Sequence, residues 1–201
     1  DQEVNIKIAL APATRSGKLS PAARNTLLAS MTEDVAAASL RNNYQQSLAL
    51  SLAEQRRRVD LPDHQLLMRA LEEGGLLDRA LEALPSDAEL QELSASGRGL
   101  SRPELAVLLS YAKIALQQDV LASLVPDESL LDSWLMDYFP SELRERFGGD
   151  IEKHSLRREI VATSLTNAVL NRGGPAMAVR LADETRCTPA DVALAFLATR
   201  E

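Results

Sequence analysis

Aromatic residues and cysteine are scarce in this sequence of 201 residues. Phe, Trp and Tyr together make up 3% of it, so any core must be filled mainly by leucine and alanine. The only cysteine, Cys187, excludes an internal disulfide, which fits a reducing cytoplasm. No uninterrupted apolar run approaches the roughly 20 residues needed to cross a bilayer, and the first residues show no signal-peptide pattern. We therefore expect a cytoplasmic protein with no membrane partner.

Positively charged residues are also fewer than negatively charged ones. Lysine and arginine number 22 against 29 aspartates and glutamates, which gives a formal net charge of −7. A protein that binds a nucleic-acid backbone needs a basic face, so this balance argues against a helical nucleic-acid binder. The hydrophobic share of 45% and the charged share of 25% are ordinary for a globular protein. A chain of this length forms one large domain or two small ones.

Motifs for metal, nucleotide or nucleophile chemistry are missing. His64 and His154 belong to no HxxxH or HExxH pattern, so each is expected to be an exposed or capping residue. Cys187 has no CxxC partner, which leaves zinc unsupported. There is no GxGxxG and no GxxxxGK[ST]. A triad assembled only in three dimensions stays open, but the sequence predicts no catalytic, cofactor-binding or metal-binding residue.

The sequence is rich in helical patterns, and the most apolar of them covers Leu100–Leu124. Ser101 and Glu104 form a capping signal, and Pro103 lies in the first turn, where a missing N–H costs nothing. Two apolar faces follow, one through Leu105, Leu108, Leu109, Ala112 and Leu116 and the other through Val107, Tyr111, Ile114 and Leu121. A helix that is apolar over most of its circumference belongs at the centre of a bundle.

Two further long helices are predicted. One runs from Thr32 to about Arg58, with an expected buried stripe through Ala36, Leu40, Tyr44, Leu48 and Leu52. The other runs from Asp150 to Arg172, with an expected buried stripe through Leu156, Ile160, Val161, Ser164, Leu165, Ala168 and Val169. Shorter helices fill much of the remainder, including one predicted over Leu76–Leu84. The fold class is an all-α, multi-helix bundle with two long buried helices.

One segment breaks the helical pattern. Glu3 to Leu10 alternates, with Val4, Ile6 and Ile8 on one side, which is the period of a strand. It is the only such pattern in the sequence, and a lone strand without a ladder partner is marginal in water. The segment therefore either pairs with something outside this chain or adopts another form. We predict a short extended N-terminal segment.

Three groups of residues could hold a small ligand. Arg56–Arg58 could bind an anion, but cations in a last helical turn more often complement the helix dipole. Asn167 and Asn171 could hold a carboxylate or an amide, although such residues usually bond nearby backbone. Gly173-Gly174-Pro175 could cradle an anion, but it is also the ordinary punctuation between two helices. We favour the structural interpretation for all three.

Six segments occur in the order found in a known family. The sequence resembles the C-terminal region of the large bacterial NAD-specific glutamate dehydrogenases. The matching segments are EVNIKI at Glu3–Ile8, RNNYQQSLALS at Arg41–Ser51, LSRPELAVLLSYAKIAL at Leu100–Leu116, YFPSELRERF at Tyr138–Phe147, LRREIVATSLTNAVLNRGGP at Leu156–Pro175 and TPADVALAF at Thr188–Phe196. Together they span almost the whole chain, and six ordered matches are far more specific than any single motif.

The resemblance implies a fragment of a longer enzyme. The parent would deaminate L-glutamate oxidatively to 2-oxoglutarate and ammonia, with NAD as its cofactor, and the family's nucleotide fingerprint and catalytic groups lie upstream of the segment matched by Glu3–Ile8. No residue here inherits those roles, so the fragment alone is expected to be inactive. Its expected partners are the remainder of the parent polypeptide and, in a homo-oligomer, other copies of the parent.

The resemblance and the linker-like sequence Ser94–Gly99 together suggest a division of the chain. Residues 1–58 would end the catalytic domain, residues 59–95 would be short connecting helices, and residues 96–201 would form a C-terminal helical bundle. The alternative is a self-contained helical interaction or regulatory module. Half of a sheet at Val4–Leu10 and an uncapped end at Glu201 favour the fragment, which should also leave apolar patches uncovered near its N-terminal segment.

Overall fold

The computed structural model describes residues 2–199. Within them lie eleven α-helices and no β-strand, so the all-α class is confirmed. The helices are α1 Gln2–Arg15, α2 Pro21–Ser30, α3 Thr32–Arg56, α4 Leu61–Glu73, α5 Asp87–Ala95, α6 Arg102–Ala122, α7 Asp132–Tyr138, α8 Ser141–Glu152, α9 Arg157–Gly173, α10 Met177–Thr185 and α11 Pro189–Ala198, with 3₁₀ turns at Val125–Asp127 and Ser129–Leu131. Glu201 lies outside the described residues.

The helices pack into two compact units, each assembled from segments that are far apart in sequence. The first unit consists of Asp1–Tyr44 and Pro126–Ser164, and the second of Gln45–Val125 and Leu165–Glu201. Helices α3 and α9 each begin in the first unit and end in the second. The predicted division after residues 58 and 95 assigns continuous stretches of sequence to each part, whereas each packed unit combines two separate stretches. That division stays a prediction.

The extended N-terminal segment is wrong, because the residues that alternate form helix α1. Its buried side chains are Ile6, Ala9, Leu10 and Ala13, the spacing of one helical face, whereas Val4 is exposed. A helix satisfies its backbone hydrogen bonds within itself, while a single strand would leave them open. Alanine at two of these four positions also favours the helix, so helical burial outweighs the short alternating pattern.

Helix α1 is fastened to the α7–α8 region of the first unit by polar contacts as well as by packing. Gln2 Nε2 donates to the backbone oxygen of Tyr138, and Asn5 Nδ2 donates to the Tyr138 hydroxyl at 2.8 Å. Phe139 next to it is fully buried, with its ring edge-on to that of Tyr138 at 5.0 Å between centroids. Tyr138 and Phe139 thus lie where α1 meets the junction of α7 and α8.

Helix α6 supplies the centre of the second unit, as predicted. The backbone N–H of Ser101 donates to Glu104 at 2.6 Å, which confirms the predicted capping role of this glutamate. One face is fully buried against α4 and α11, through Leu105, Leu108, Leu109, Ala112, Leu116 and Val120. The second predicted face is only half-buried, and Ile114 on it is exposed. α6 is also the one described helix that is long and apolar enough to cross a membrane by length and composition, which is weak evidence for a single helix.

The predicted buried stripe of α3 is wrong. Ala36, Leu40, Tyr44, Leu48 and Leu52 are all exposed, and the only buried residues of this 25-residue helix are Ala49 and Ala53. The spacing correctly indicates an apolar face on a helix. Whether such a face is buried depends on a neighbour that covers it, and none of the described residues covers this one.

The helix predicted over Leu76–Leu84 is also wrong, since residues 74–86 form turns. Arg79, whose side chain is 10% exposed, anchors them by donating to Glu72 of α4 at 2.6 Å and to Asp87 of α5 at 2.8 Å. Asp87 also accepts hydrogen bonds from Gln65 and Arg69 of α4. These donors, Arg79 first, hold the pKa of the Asp87 carboxyl well below its usual range. Side-chain ion pairs rather than helical bonds therefore hold this segment.

The long helix predicted from Asp150 to Arg172 is interrupted after Glu152, and α9 begins at Arg157. At the break the His154 ring accepts a hydrogen bond from the Leu156 N–H at 3.1 Å. A side chain that takes a nearby backbone donor competes with helix formation, which explains the interruption. Gly148 and Gly149 do not end the preceding helix, because α8 continues through them after a kink at Phe147.

Within the predicted linker Ser94–Gly99, one glycine lies directly against another part of the chain. A Cβ atom at Gly99 would overlap the backbone oxygen of Arg57, so this glycine allows two backbone segments of the second unit to approach closely. The neighbouring Gly97 adopts φ +64°, in the left-handed region that favours glycine. Ser94 and Ala95 end α5, and Gly97 and Gly99 lie in the turn that follows, within the second unit.

We expect Gly99→Ala to lower the free energy of unfolding by about 1–3 kcal/mol, because the new methyl group meets backbone that cannot move aside. The matched control is Gly149→Ala in α8, where a Cβ atom meets nothing within 4 Å. This change should be neutral or stabilising by up to about 1 kcal/mol. Chemical denaturation of both variants checks the difference; equal effects would show that the Gly99 contact is unimportant.

Candidate functional site

Two arginines of the basic run Arg56–Arg58 form ion pairs within the chain. Arg56 makes a two-bond pair with Asp60, at 2.9 Å for each bond. Glu54 lies 3.9 Å from Arg57 and 3.2 Å from Arg102. Two of the three arginines therefore face carboxylates at the end of α3, which agrees with the structural interpretation and leaves little free positive charge for an anion.

The glycine turn after α9 uses its backbone donors in the same way. Gly174 adopts φ +84°, and its N–H donates to the backbone oxygen of Leu170 at 3.0 Å. The N–H of Met177 donates to the backbone oxygen of Gly174 at 3.4 Å. A left-handed glycine that closes the last turn of a helix is an ordinary helix ending. The turn therefore ends α9 and connects it to α10, which agrees with the structural interpretation.

Asn167 and Asn171 are both half-buried on α9. The side-chain oxygen of Asn171 is inaccessible to solvent and has no hydrogen-bond partner among the described residues. Among the described residues 2–199, no hydrogen bond or ion pair joins these asparagines to the arginine run or to the glycine turn. The structure therefore gives no contact that combines the three predicted groups into one site.

His154 is buried rather than exposed, although it does bind a backbone N–H just before α9 as a capping residue would, and it fastens α1 within the first unit. Its Nε2 lies 3.0 Å from the backbone oxygen of Asn5, and its Nδ1 accepts the Leu156 N–H. Since a carbonyl can only accept, Nε2 carries the proton and the ring is the neutral tautomer. Its ring also packs against Phe139, with centroids 5.6 Å apart. Both nitrogens are thus committed to backbone.

His64 is buried too, at 1% exposure on α4, which again contradicts the expected exposed position. Its Nδ1 is inaccessible to solvent and has no partner among the residues that the structure describes. Burial lowers the pKa of His64 below its ordinary value of 6.5, and the nearby Asp60 and Asp63 carboxylates oppose that shift. Asp63 is itself paired with Arg180 of α10 at 3.5 Å. His64 is therefore an uncharged core residue.

The larger cavity, about 410 Å³, opens beside α5 and the start of α6. Its lining carries three glutamates and one arginine, together with Ala83, Leu84, Pro85 and Leu93. Two of the glutamates, Glu89 and Glu104, are engaged in capping α5 and α6. The cavity thus offers carboxylates that already hold helix ends, with no histidine, cysteine or hydroxyl nucleophile in its lining.

The described part of the chain contains no assembled metal-binding site and no activated thiol. Within residues 2–199, no group of three or more His, Cys, Asp or Glu side chains is placed to hold a metal ion. Cys187 is exposed, and its sulfur lies 3.0 Å from the Thr185 hydroxyl. A lone exposed thiol beside a hydroxyl has no base to activate it.

The most unusual surface is the apolar ridge of α3, which we define as Leu40, Tyr44, Leu48 and Leu52. Their exposed fractions are 69%, 68%, 43% and 44%. From Val35 to Ala53 the helix carries a single charged residue, Arg41. A solvated helix face normally carries several charges, so this scarcity is the feature of the sequence that sets the stripe apart from an ordinary exposed face.

Two family models match the chain. Residues 97–201 match the family described as glutamate dehydrogenase, C-terminal. Residues 1–53 match the bacterial NAD-glutamate dehydrogenase catalytic domain. The first match covers α6 to α11 and the second covers α1, α2 and most of α3, including the whole apolar ridge.

Curated relatives agree with both models. The chain is 45% identical over 201 residues to the NAD-specific glutamate dehydrogenase of Pseudomonas aeruginosa and 41% identical over 201 residues to that of Halomonas elongata. It is 39% identical over 199 residues to the NAD-specific glutamate dehydrogenase of Mycobacterium tuberculosis. These alignments cover 100%, 100% and 99% of this chain, and 12% of the length of each relative.

We expect the stability of the chain to fall as the pH drops below about 6.5, in part through His64. Above that pH the imidazole is neutral in both the folded and the unfolded chain. Below it the unfolded chain binds a proton first, because the folded pKa is lowered, so acidification favours unfolding until the folded pKa is passed. Denaturation between pH 7.5 and 5 should show a smaller loss for His64→Leu than for the unmodified chain. An equal loss would exclude His64 as the cause.

Proposed function

Because the chain belongs to the glutamate dehydrogenase C-terminal family, we propose that it is the C-terminal helical part of an NAD-dependent glutamate dehydrogenase. The whole enzyme would convert L-glutamate to 2-oxoglutarate and ammonia and pass a hydride to NAD. In this proposal the 201 residues are supporting architecture. The groups that bind NAD and carry out the reaction belong to other parts of a longer polypeptide.

The observation that carries the proposal is the extent of the match. Identity of 45% runs over all 201 residues, yet these residues span only 12% of the length of the relative from Pseudomonas aeruginosa. That relative, like those from Halomonas elongata and Mycobacterium tuberculosis, is an NAD-specific glutamate dehydrogenase. The resemblance predicted from six ordered segments is confirmed.

The contacts of the candidate residues support an architectural role. Both nitrogens of His154 bond to backbone, Arg56 pairs with Asp60, and the N–H of Gly174 closes the end of α9. Groups that are already satisfied within the chain are poor candidates for binding NAD or glutamate, since each contact would first have to be broken. The absence of catalytic and cofactor-binding residues stays a prediction. We also propose that the parent enzyme is a cytoplasmic homo-oligomer, as the resemblance implies.

A self-contained helical interaction module is the competing proposal, and one observation favours it. The first residues form a complete helix that buries Ile6, Ala9 and Leu10 within the first unit, rather than half of a sheet. The unpaired strand that would have identified a fragment does not exist. The two proposals must therefore be separated by measurement.

We expect titration of NAD or L-glutamate into the 201-residue chain to give no more heat than titration into an unrelated protein. The reason is that the proposed binding residues lie outside these 201 positions. Isothermal calorimetry measures this, with circular dichroism to establish that the sample is folded and the full-length enzyme as the positive control. Micromolar affinity of the chain alone for either compound would contradict the proposal.

We expect the intact mass of the natural gene product to be several times the 21.9 kDa of this chain. The proposal requires a longer polypeptide, because it assigns the reaction to residues that are not among these 201. Mass spectrometry of the protein isolated from its source decides the matter. A natural product of about this chain's own mass would favour the self-contained module.

A further inference from the structure

The apolar ridge of α3 has the composition of an interface core. Exposed apolar surface on soluble proteins is normally scattered, and a contiguous patch marks a contact site. The ridge places three leucines and one tyrosine in a row, and tyrosine is enriched at the centre of interfaces. Arg41 is the only charge between Val35 and Ala53, and depletion of charge is the other mark of an interface core.

The spacing of the ridge indicates what shape would cover it. Residues four apart on a helix form a ridge that fits into the groove between two such ridges of a facing helix. Leu40 and Leu52 are three steps of four residues apart, so the ridge is about 18 Å long at 1.5 Å per residue. A second helix with an apolar face matches a ridge of this length and direction.

We propose that this ridge docks against an apolar helix in the part of the glutamate dehydrogenase catalytic domain that lies outside this chain. The catalytic-domain family match runs over residues 1–53 and therefore contains the ridge from its first to its last residue. The relatives are about eight times longer than the aligned segment, since it covers 12% of each. The inference rests on the proposed function and adds to it the surface by which this chain joins the rest of the enzyme.

The limited size of the ridge favours docking within one polypeptide over pairing between two copies. Four partly exposed side chains amount to an apolar patch on the order of a few hundred Å². A stable association of separate molecules buries roughly 800 Å² on each partner. Two parts of one polypeptide have a high effective concentration, so a smaller surface is enough to hold them together.

The test places a photo-activated cross-linking residue, p-benzoylphenylalanine, at position 44 of the full-length enzyme. We expect a cross-link within one polypeptide to a peptide of the catalytic domain outside these 201 residues, identified by mass spectrometry. A cross-link to residues 1–201 of a second copy would overturn the proposal in favour of self-association. The absence of any cross-link would overturn it by showing that the ridge remains in solvent.

A matched pair of substitutions gives an independent measurement. Leu40→Glu should lower the melting temperature of the full-length enzyme by several degrees, because it places a charge in the proposed contact. It should leave the melting temperature of the 201-residue chain unchanged, where Leu40 is 69% exposed. Leu81, which is 81% exposed and lies outside the ridge, supplies the control, since Leu81→Glu should change neither. Equal effects of Leu40→Glu in both proteins would contradict docking.

The outcomes separate the two proposals. If the natural gene product is no longer than this chain, the proposed function fails. If it is longer and carries the dehydrogenase activity but position 44 gives no catalytic-domain cross-link, only the docking surface is wrong. A Leu40→Glu enzyme that fails to fold leaves the test intact, because the cross-linking variant keeps an aromatic ring at position 44.

Discussion

The burial of one face of α6 organises the second unit. Its six buried side chains pack against α4 and α11, and α4 and α11 in turn pack against α10. Leucine and alanine supply almost all of this core, because the sequence has few aromatic side chains to anchor it.

Hydrogen bonds and ion pairs also join the helices, in addition to the packing of this core. In the second unit, Arg79 joins α4 and α5 through Glu72 and Asp87, so that residues without helical structure are still held. In the first unit, His154 holds the backbone of α1 through Asn5. Of these two side chains, His154 was considered for chemistry in the sequence. In the structure both side chains bind neighbouring segments, and their role is to join helices.

The apolar ridge of α3 differs from these features because its side chains are not covered by a neighbouring segment that the structure describes. Every other long helix buries one face, whereas α3 turns four large apolar side chains to solvent within the segment that matches a catalytic domain. The family match and the exposed ridge are independent observations, one from comparison and one from geometry. Both support the proposal that this ridge is a docking surface of a longer enzyme.

The sequence by itself determined the all-α class, the buried face of α6, the capping glutamate at position 104 and the family, because helical periodicity, capping and ordered motifs are local properties of the chain. It could not decide whether a helical face meets a neighbour, so the stripe of α3 was wrongly placed in a core, and the burial of His64 and His154 was not foreseen. It also favoured an extended segment at Glu3–Leu10, where internal hydrogen bonds and packing against α8 favour the helix. Burial and pairing depend on residues distant in sequence, and for that reason only the tertiary structure decided them.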